Sequence, residues 1–116
     1  MIDTTILNAP TVKERLANLD MLLSQRQADP ERTDFVNNHI HTIYSFSPYS
    51  PTSAAYHAWQ NGLATAGIMD HDSTSGAKEF LQAGKAIGIS VTNGFECRCG
   101  MQGTPFEAVR LNNPDQ

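Results

Sequence analysis

The chain has 116 residues, with 8 basic and 12 acidic side chains and a formal net charge of −4. That length holds one domain at most and is too short for a closed eight-unit β/α barrel, which takes roughly 250 residues. The negative balance, without any Lys/Arg cluster, argues against duplex nucleic acid as the main partner. No apolar run approaches the roughly 20 residues of a membrane span. Met1-Ile2-Asp3 lacks the basic start and apolar core of a signal peptide. Two cysteines without a secretion signal read as reduced thiols, so the expected compartment is the cytoplasm.

In chain order, Thr11-Val12-Lys13-Glu14 reads as a capping box opening a helix. Val12, Leu16, Leu19 and Leu23 then fall on one face, and Asp29-Pro30 ends the pattern. This helix is expected on the outside of the domain, with no chemistry of its own. Residues 33–38 are a first strand, and the Ser-, Tyr- and Pro-rich stretch 43–50 is a loop. Ser50-Pro51 caps a second helix, with Ala55, Ala58, Trp59 and Gly62 on one face and Asn61-Gly62 as its stop. Residues 64–69, small and apolar, are a second strand of the parallel type covered on both faces. Residues 70–74 form a loop. Ser75 caps a third helix to about Ile87, with Ala77, Leu81, Gly84 and Ile87 inward and Gly88 as terminator. Residues 89–93 are a third strand. Residues 95–99 and 106–111 read as two arms of a β-hairpin around Gly100-Met101-Gln102-Gly103, and 112–116 as the entry to another element. There is no internal repeat and no low-complexity segment. The fold class is α/β: a helix, then β-α-β-α-β, then a hairpin, with the three strands parallel neighbours.

Parallel strands put their C-terminal ends on one edge, where ligands and catalytic groups gather. His39 and His41 follow strand one, Asp70 and His71 follow strand two, and Glu96 follows strand three. In an extended H-x-H stretch the two imidazoles point to the same side and can share a metal. Imidazoles with a carboxylate suit Zn²⁺, Mn²⁺ or Fe²⁺ better than Mg²⁺. Glu96 can bridge two metals, and a two-metal site lowers the pKa of a shared water while holding a phosphate ester. Asp70 is placed to support a neighbouring imidazole. Arg98, two residues past Glu96, can meet a phosphate oxygen.

Each piece also has a simpler reading. A single H-x-H at a strand end is often incidental, Asp70-His71-Asp72 can be a polar turn, and Glu96 and Arg98 can be solvated. His57 reads as a surface residue, and Cys97 and Cys99 as buried or half-buried thiols without a second pair to complete a zinc site. The argument for a site is that all three clusters fall on one predicted edge.

Taken together, His39-Ile40-His41-Thr42-Ile43-Tyr44-Ser45, Gly62-Leu63, Ile68-Met69-Asp70-His71-Asp72 with Gly76, and Gly94-Phe95-Glu96 resemble the opening of the PHP (polymerase and histidinol phosphatase) superfamily. The resemblance runs from Phe35 to Arg98. It implies the N-terminal part of a distorted barrel of seven β/α units, with two or three divalent metals (Zn, Mn or Fe) at its mouth. It also implies phosphoester hydrolysis by a metal-bound hydroxide. His39, His41, His71 and Glu96 are the implied metal ligands, Glu96 bridging, with Asp70 in a supporting role. The family commonly has Ser-Asp-Gly where this chain has Ser45-Phe46-Ser47, and Phe46 cannot be a ligand. Later family ligands are also missing, since no histidine follows His71.

The expected organisation is therefore an N-terminal helical extension at 1–32 and a partial, C-terminally truncated PHP domain at 33–116. The expected partner is a phosphorylated small molecule or nucleotide. Either the rest of a longer protein or a homo-oligomer would complete the domain. The competing expectation is a non-catalytic, truncated PHP-like module for protein interaction, whose open sheet edges are covered by a partner.

Overall fold

The computed structural model describes residues 3–100 and 102–105. A short 3₁₀ turn at Thr4–Asn8 precedes helix α1, Val12–Ser24. The elements that follow are strand β1 (Val36–Ile40), helix α2 (Pro51–Gln60), strand β2 (Thr65–His71), helix α3 (Ala77–Ile87) and strand β3 (Ser90–Glu96). A second 3₁₀ turn, Ile43–Ser45, lies between β1 and α2. The sheet is parallel in the order β1-β2-β3, as the crossover lengths predict. Among the described residues no helix is long and apolar enough to cross a membrane.

Local chemistry accounts for most element ends. The Thr11 hydroxyl accepts from the Glu14 N–H, and the Glu14 carboxylate accepts from the Thr11 N–H, so two orphan donors are satisfied reciprocally. Ser50 caps α2 by accepting from the Ser53 N–H, and Pro51 fills the first turn. Gly88 ends α3 with φ 91°, a left-handed conformation that glycine alone adopts without strain. Two boundaries differ from expectation. α1 stops at Ser24, before Asp29-Pro30 acts. α3 begins after Gly76, with no side-chain cap from Ser75.

The core joins Leu19, Leu22 and Leu23 of α1, Ala54, Ala55, Tyr56, Ala58 and Trp59 of α2, Ala66 and Ile68 of β2, and Phe80 and Ala83 of α3. Both crossover helices share this one core. The predicted inward face of α3 is therefore displaced: Leu81 is exposed, while Glu79, Phe80, Ala83 and Gly84 are buried. Phe80 wins because a fully buried aromatic removes more apolar area from water, about 2–3 kcal/mol worth.

Glu79 is buried because it is paired. Arg15 of α1 reaches into the interior, with Nε 2.7 Å from Glu79 Oε1 and Nη2 2.8 Å from Oε2. Arg15 Nη1 donates to the Ala9 carbonyl, and the Thr52 hydroxyl donates to Glu79 Oε1. The Glu79 carboxylate holds the Arg15 pKa above its ordinary value. Far from being an outer cover, α1 is thus tied to α2 and α3 by a buried ion pair.

The strands run further than the sequence reading placed them. β1 covers residues 36–40 rather than 33–38, and β2 and β3 extend through His71 and Glu96. Continued pairing across the sheet is the reason: the ladder carries on to Asp70 opposite Phe95 and His71 opposite Glu96. β2 is the covered strand, whereas β1 and β3 carry mostly exposed residues. Of the expected hairpin, Phe95 and Glu96 belong to β3. The second arm, 106–111, lies outside the described residues, as does 112–116.

Candidate metal centre

The site begins with an irregularity in β1. Asn37 pairs with Ala66 and Ile40 with Ile68, so Asn38 and His39 together stand against the single residue Gly67. This is a β-bulge, a device that re-aims side chains. Asn37 and Ile40 line the helix side together with Ala54 and Ala58. Asn38 and His39 turn to the other face, where Asn38 meets Thr92 and His39 meets Glu96. The His39 N–H donates to Asn37 Oδ1 at 3.0 Å and fixes the bulge locally. Gly67 permits it, since a Cβ there would lie 2.9 Å from the Asn38 Cα.

Glu96, at the end of β3, is the centre of the cluster. Its Oε1 abuts His39 Nε2 and lies 4.0 Å from His41 Nε2. Its Oε2 lies 2.8 Å from His71 Nδ1. One donor atom each from His39, His41 and Glu96 fall within 4.8 Å of one another, a spread that one metal ion can gather. The His41 and His71 rings stack with centroids 4.8 Å apart, and His39 meets His41 edge-on at 5.1 Å. His71 thus borders the triad through its ring and through the second oxygen of Glu96.

The donor set fits a divalent cation. His71 Nδ1 is closed off from solvent, and its approach to Glu96 Oε2 lacks the geometry of a hydrogen bond. A buried polar atom without a hydrogen-bonding partner is costly, and coordination of a metal is one way to satisfy it. Three imidazoles and a carboxylate match the preferences of Zn²⁺, Mn²⁺ and Fe²⁺.

Two neighbouring groups hold the cluster in place. The Ser45 hydroxyl accepts from the His71 N–H at 3.0 Å and lies 3.4 Å from His41 Nδ1. With Nδ1–H donating to Ser45, the His41 Nε2 lone pair faces the cluster. Asp70 is buried, and both its oxygens are taken by Thr42: Oδ1 by the N–H and Oδ2 by the hydroxyl, each at 2.7 Å. Strand alternation explains this, because it puts Asp70 on the face opposite His71. Asp70 therefore holds the turn after His41, and the expectation that it orients an imidazole is corrected. Ser45 and Thr42 were not singled out by sequence reasoning. Their signal was Thr42, which directly follows H-x-H, and Ser45, three residues further on.

Other residues also lie differently. The Arg98 side chain is exposed and turns to Asp72, with Nε 3.9 Å from Oδ2, while its N–H donates to Asp72 Oδ1. It is not brought to the cluster. Phe46 is 95% exposed and adopts a left-handed conformation with φ 64°. His57 is half-buried instead of surface-exposed, its ring edge-on to Tyr49 and Tyr56. Cys97 and Cys99 are exposed, since the ladder ends at Glu96, and Cys99 holds the Cys97 thiol pKa above its ordinary value. A separate concavity of about 460 Å³, lined by Arg26, Pro30, Tyr56, Trp59 and Gln60, contains none of the site residues.

No family model matches the chain. A 5'-3' exoribonuclease of Haemophilus influenzae is 31% identical to it over 74 residues, which make up 64% of this chain and 27% of that protein. A crystal structure from Bifidobacterium adolescentis, of a protein assigned as a metal-dependent phosphoesterase, matches with a TM-score of 0.56 and 27% identity. That match covers 66% of this chain and 26% of the other. This chain carries a PHP-like N-terminal portion. It spans about a quarter of the length of each of the two proteins. Within the PHP-like portion, three successive parallel strands deliver His39, His41, His71 and Glu96 to one edge.

Proposed function

We propose that this chain supplies the opening β-α-β-α-β part of a metal-dependent phosphoesterase, a PHP-type phosphatase acting on phosphate esters. The observation that carries the reading is Glu96, whose two oxygens face imidazoles from β1 and β2. Likeness to the Bifidobacterium protein supports it. In this reading residues 1–32 are a helical extension and 33–116 part of a distorted seven-unit β/α barrel. Sharing of one core by both crossover helices agrees with that curvature. The remainder of a longer protein, or a second copy, completes the domain. A non-catalytic interaction module gives no account of the converging donors.

His39, His41 and Glu96 would hold one metal, and Glu96 with His71 would help hold a second. Two or three ions of Zn, Mn or Fe make up the set. Such ions supply Lewis acidity and a nucleophile usable at neutral pH. The chain's own groups do the positioning. Ser45 fixes His41 and His71 relative to each other, and Asp70 fixes Thr42 and so the exit of β1. Arg98 reaches a phosphate only if it leaves Asp72. The substrate class is a phosphorylated small molecule or nucleotide, and the exoribonuclease relative supports a nucleotide phosphate. The net charge of −4 argues against duplex nucleic acid. A cytoplasmic location belongs to the same reading.

The test is elemental mass spectrometry of the untagged chain, followed by hydrolysis of an aryl phosphate. The expected result is about two or more equivalents of Zn, Mn or Fe per chain. His39→Ala and Glu96→Gln should each reduce that content and the hydrolysis with it. Less than about half an equivalent, or content unchanged by His39→Ala, overturns the reading.

A further inference from the structure

Directly beyond Glu96 lies a second cluster that the metal centre does not use. Cys97 and Cys99 are both free and exposed, and their Sγ atoms are 3.8 Å apart. A disulfide needs about 2.05 Å between sulfurs, so side-chain rotation has less than 2 Å left to close. Both lie past the last paired residue of β3, where no ladder resists a local change of backbone. Between them, Arg98 donates its N–H to Asp72, and the Asp72 N–H donates to the Glu96 carbonyl. The pair therefore adjoins the backbone that carries Glu96.

We propose that Cys97 and Cys99 form a redox-modification site, closed to an intrachain disulfide by hydroperoxides and reopened by dithiols. One thiolate attacks a peroxide oxygen. The O–O bond breaks, hydroxide or alkoxide leaves and takes up the proton the thiol gave up, and a sulfenic acid forms. The second thiolate attacks that sulfur. The S–S bond forms, and the departing hydroxide takes up a proton as water. The two sulfurs lose two electrons and the peroxide gains them. A dithiol reductant reverses the change by exchange and becomes a disulfide itself. A short, exposed bridge of this kind belongs to the labile class of disulfides, not the structural one. The chemistry is independent of metal binding.

The test uses the fully reduced 116-residue chain with a chelator present. It is treated with equimolar hydrogen peroxide, alkylated, and digested with trypsin without reduction. Trypsin cuts after Arg98, so the bridge joins peptide 86–98 to peptide 99–110. The expected product is that joined pair, recovered from monomeric chain and lost after dithiothreitol. At about 10 µM chain, closure within the chain should exceed pairing between chains about a hundredfold, because the second thiol is present at an effective millimolar concentration. Cys97→Ser and Cys99→Ser should each abolish the monomeric bridge and leave a sulfenic acid that dimedone traps. Alkylation of both cysteines after peroxide, unlinked sulfinic acids, or the joined peptides found only in dimers would overturn the proposal. None of these outcomes bears on the metal content, so the two readings fail separately.

Discussion

Replacing Asp70 tests how the metal centre is braced. The carboxylate is buried, with the Thr42 N–H and hydroxyl each 2.7 Å from one of its oxygens. Hydrogen bonds to a charged group are worth about 1.5–3 kcal/mol each, so Asp70→Ala forfeits about 3–6 kcal/mol in gross terms. Removing a buried charge offsets part of that, leaving a net loss of about 2–4 kcal/mol. For a domain of this size that lowers Tm by about 10–20 °C. Asp70→Asn should be much milder. Its carbonyl still accepts from the Thr42 N–H, and its amide donates to the Thr42 hydroxyl once that group turns. Losing only the charge assistance should cost about 1 kcal/mol. The assay is urea unfolding followed by fluorescence of Trp59, the one tryptophan, which is buried in the core. Metal affinity is measured in parallel, since Thr42 directly follows His41. If Asp70→Ala stays within about 0.5 kcal/mol of the parent, or Asp70→Asn matches it in damage, the bracing argument is wrong.

Three further predictions concern the frame. Arg15→Met should destabilise the chain by about 3–5 kcal/mol by stranding Glu79, whereas Arg15→Met with Glu79→Leu should recover most of the loss, measured as a double-mutant cycle in urea. Gly67→Ala forces a Cβ to within 2.9 Å of the Asn38 Cα, so it should cost more than about 2 kcal/mol and reduce bound metal; an unchanged metal content would show the bulge to be irrelevant. Burial raises the Tyr56 phenol above its ordinary value of 10.0. The unfolded chain therefore loses this proton first, so the stabilisation is complete below pH 10 and declines as pH rises through the folded value. Tyr56→Phe should flatten that alkaline decline in unfolding curves, and an identical decline in the variant would refute it.

The legible parts of this chain were those written in local chemistry. Thr11 with Glu14, Ser50 with Pro51, and Gly88 each mark a helix end by side chains within a few residues, and the structure uses all three. Gathering of the three clusters on one edge followed from parallel topology alone. What depended on distant partners was not legible. Arg15 and Glu79 are 64 positions apart, and neither alone signals burial. The true face of α3 followed from that pairing and from Phe80. The lengths of β2 and β3 were underestimated because His71 and Glu96 are polar, yet each supplies backbone pairing for the other's strand. Asp70 was assigned a partner by sequence proximity, where alternation of the strand decides instead.

The bulge in β1 has a consequence for parity. Upstream of it the odd-numbered residue Asn37 faces the helices, and downstream the even-numbered Ile40 does. One extra residue thus exchanges the roles of odd and even positions between the two halves of a five-residue strand. Deleting Asn38 would leave every side chain chemically intact yet return the chain to a single count. Counted from Asn37, His39 and His41 would still face the polar edge and Ile40 the helices. Pairing all five residues without a bulge would instead send both imidazoles to the helix side and Ile40 to the polar edge. Any transplant of this H-x-H segment into another sheet must therefore keep the bulge or drop Asn38, because the five residues in regular pairing turn the imidazoles to the wrong face.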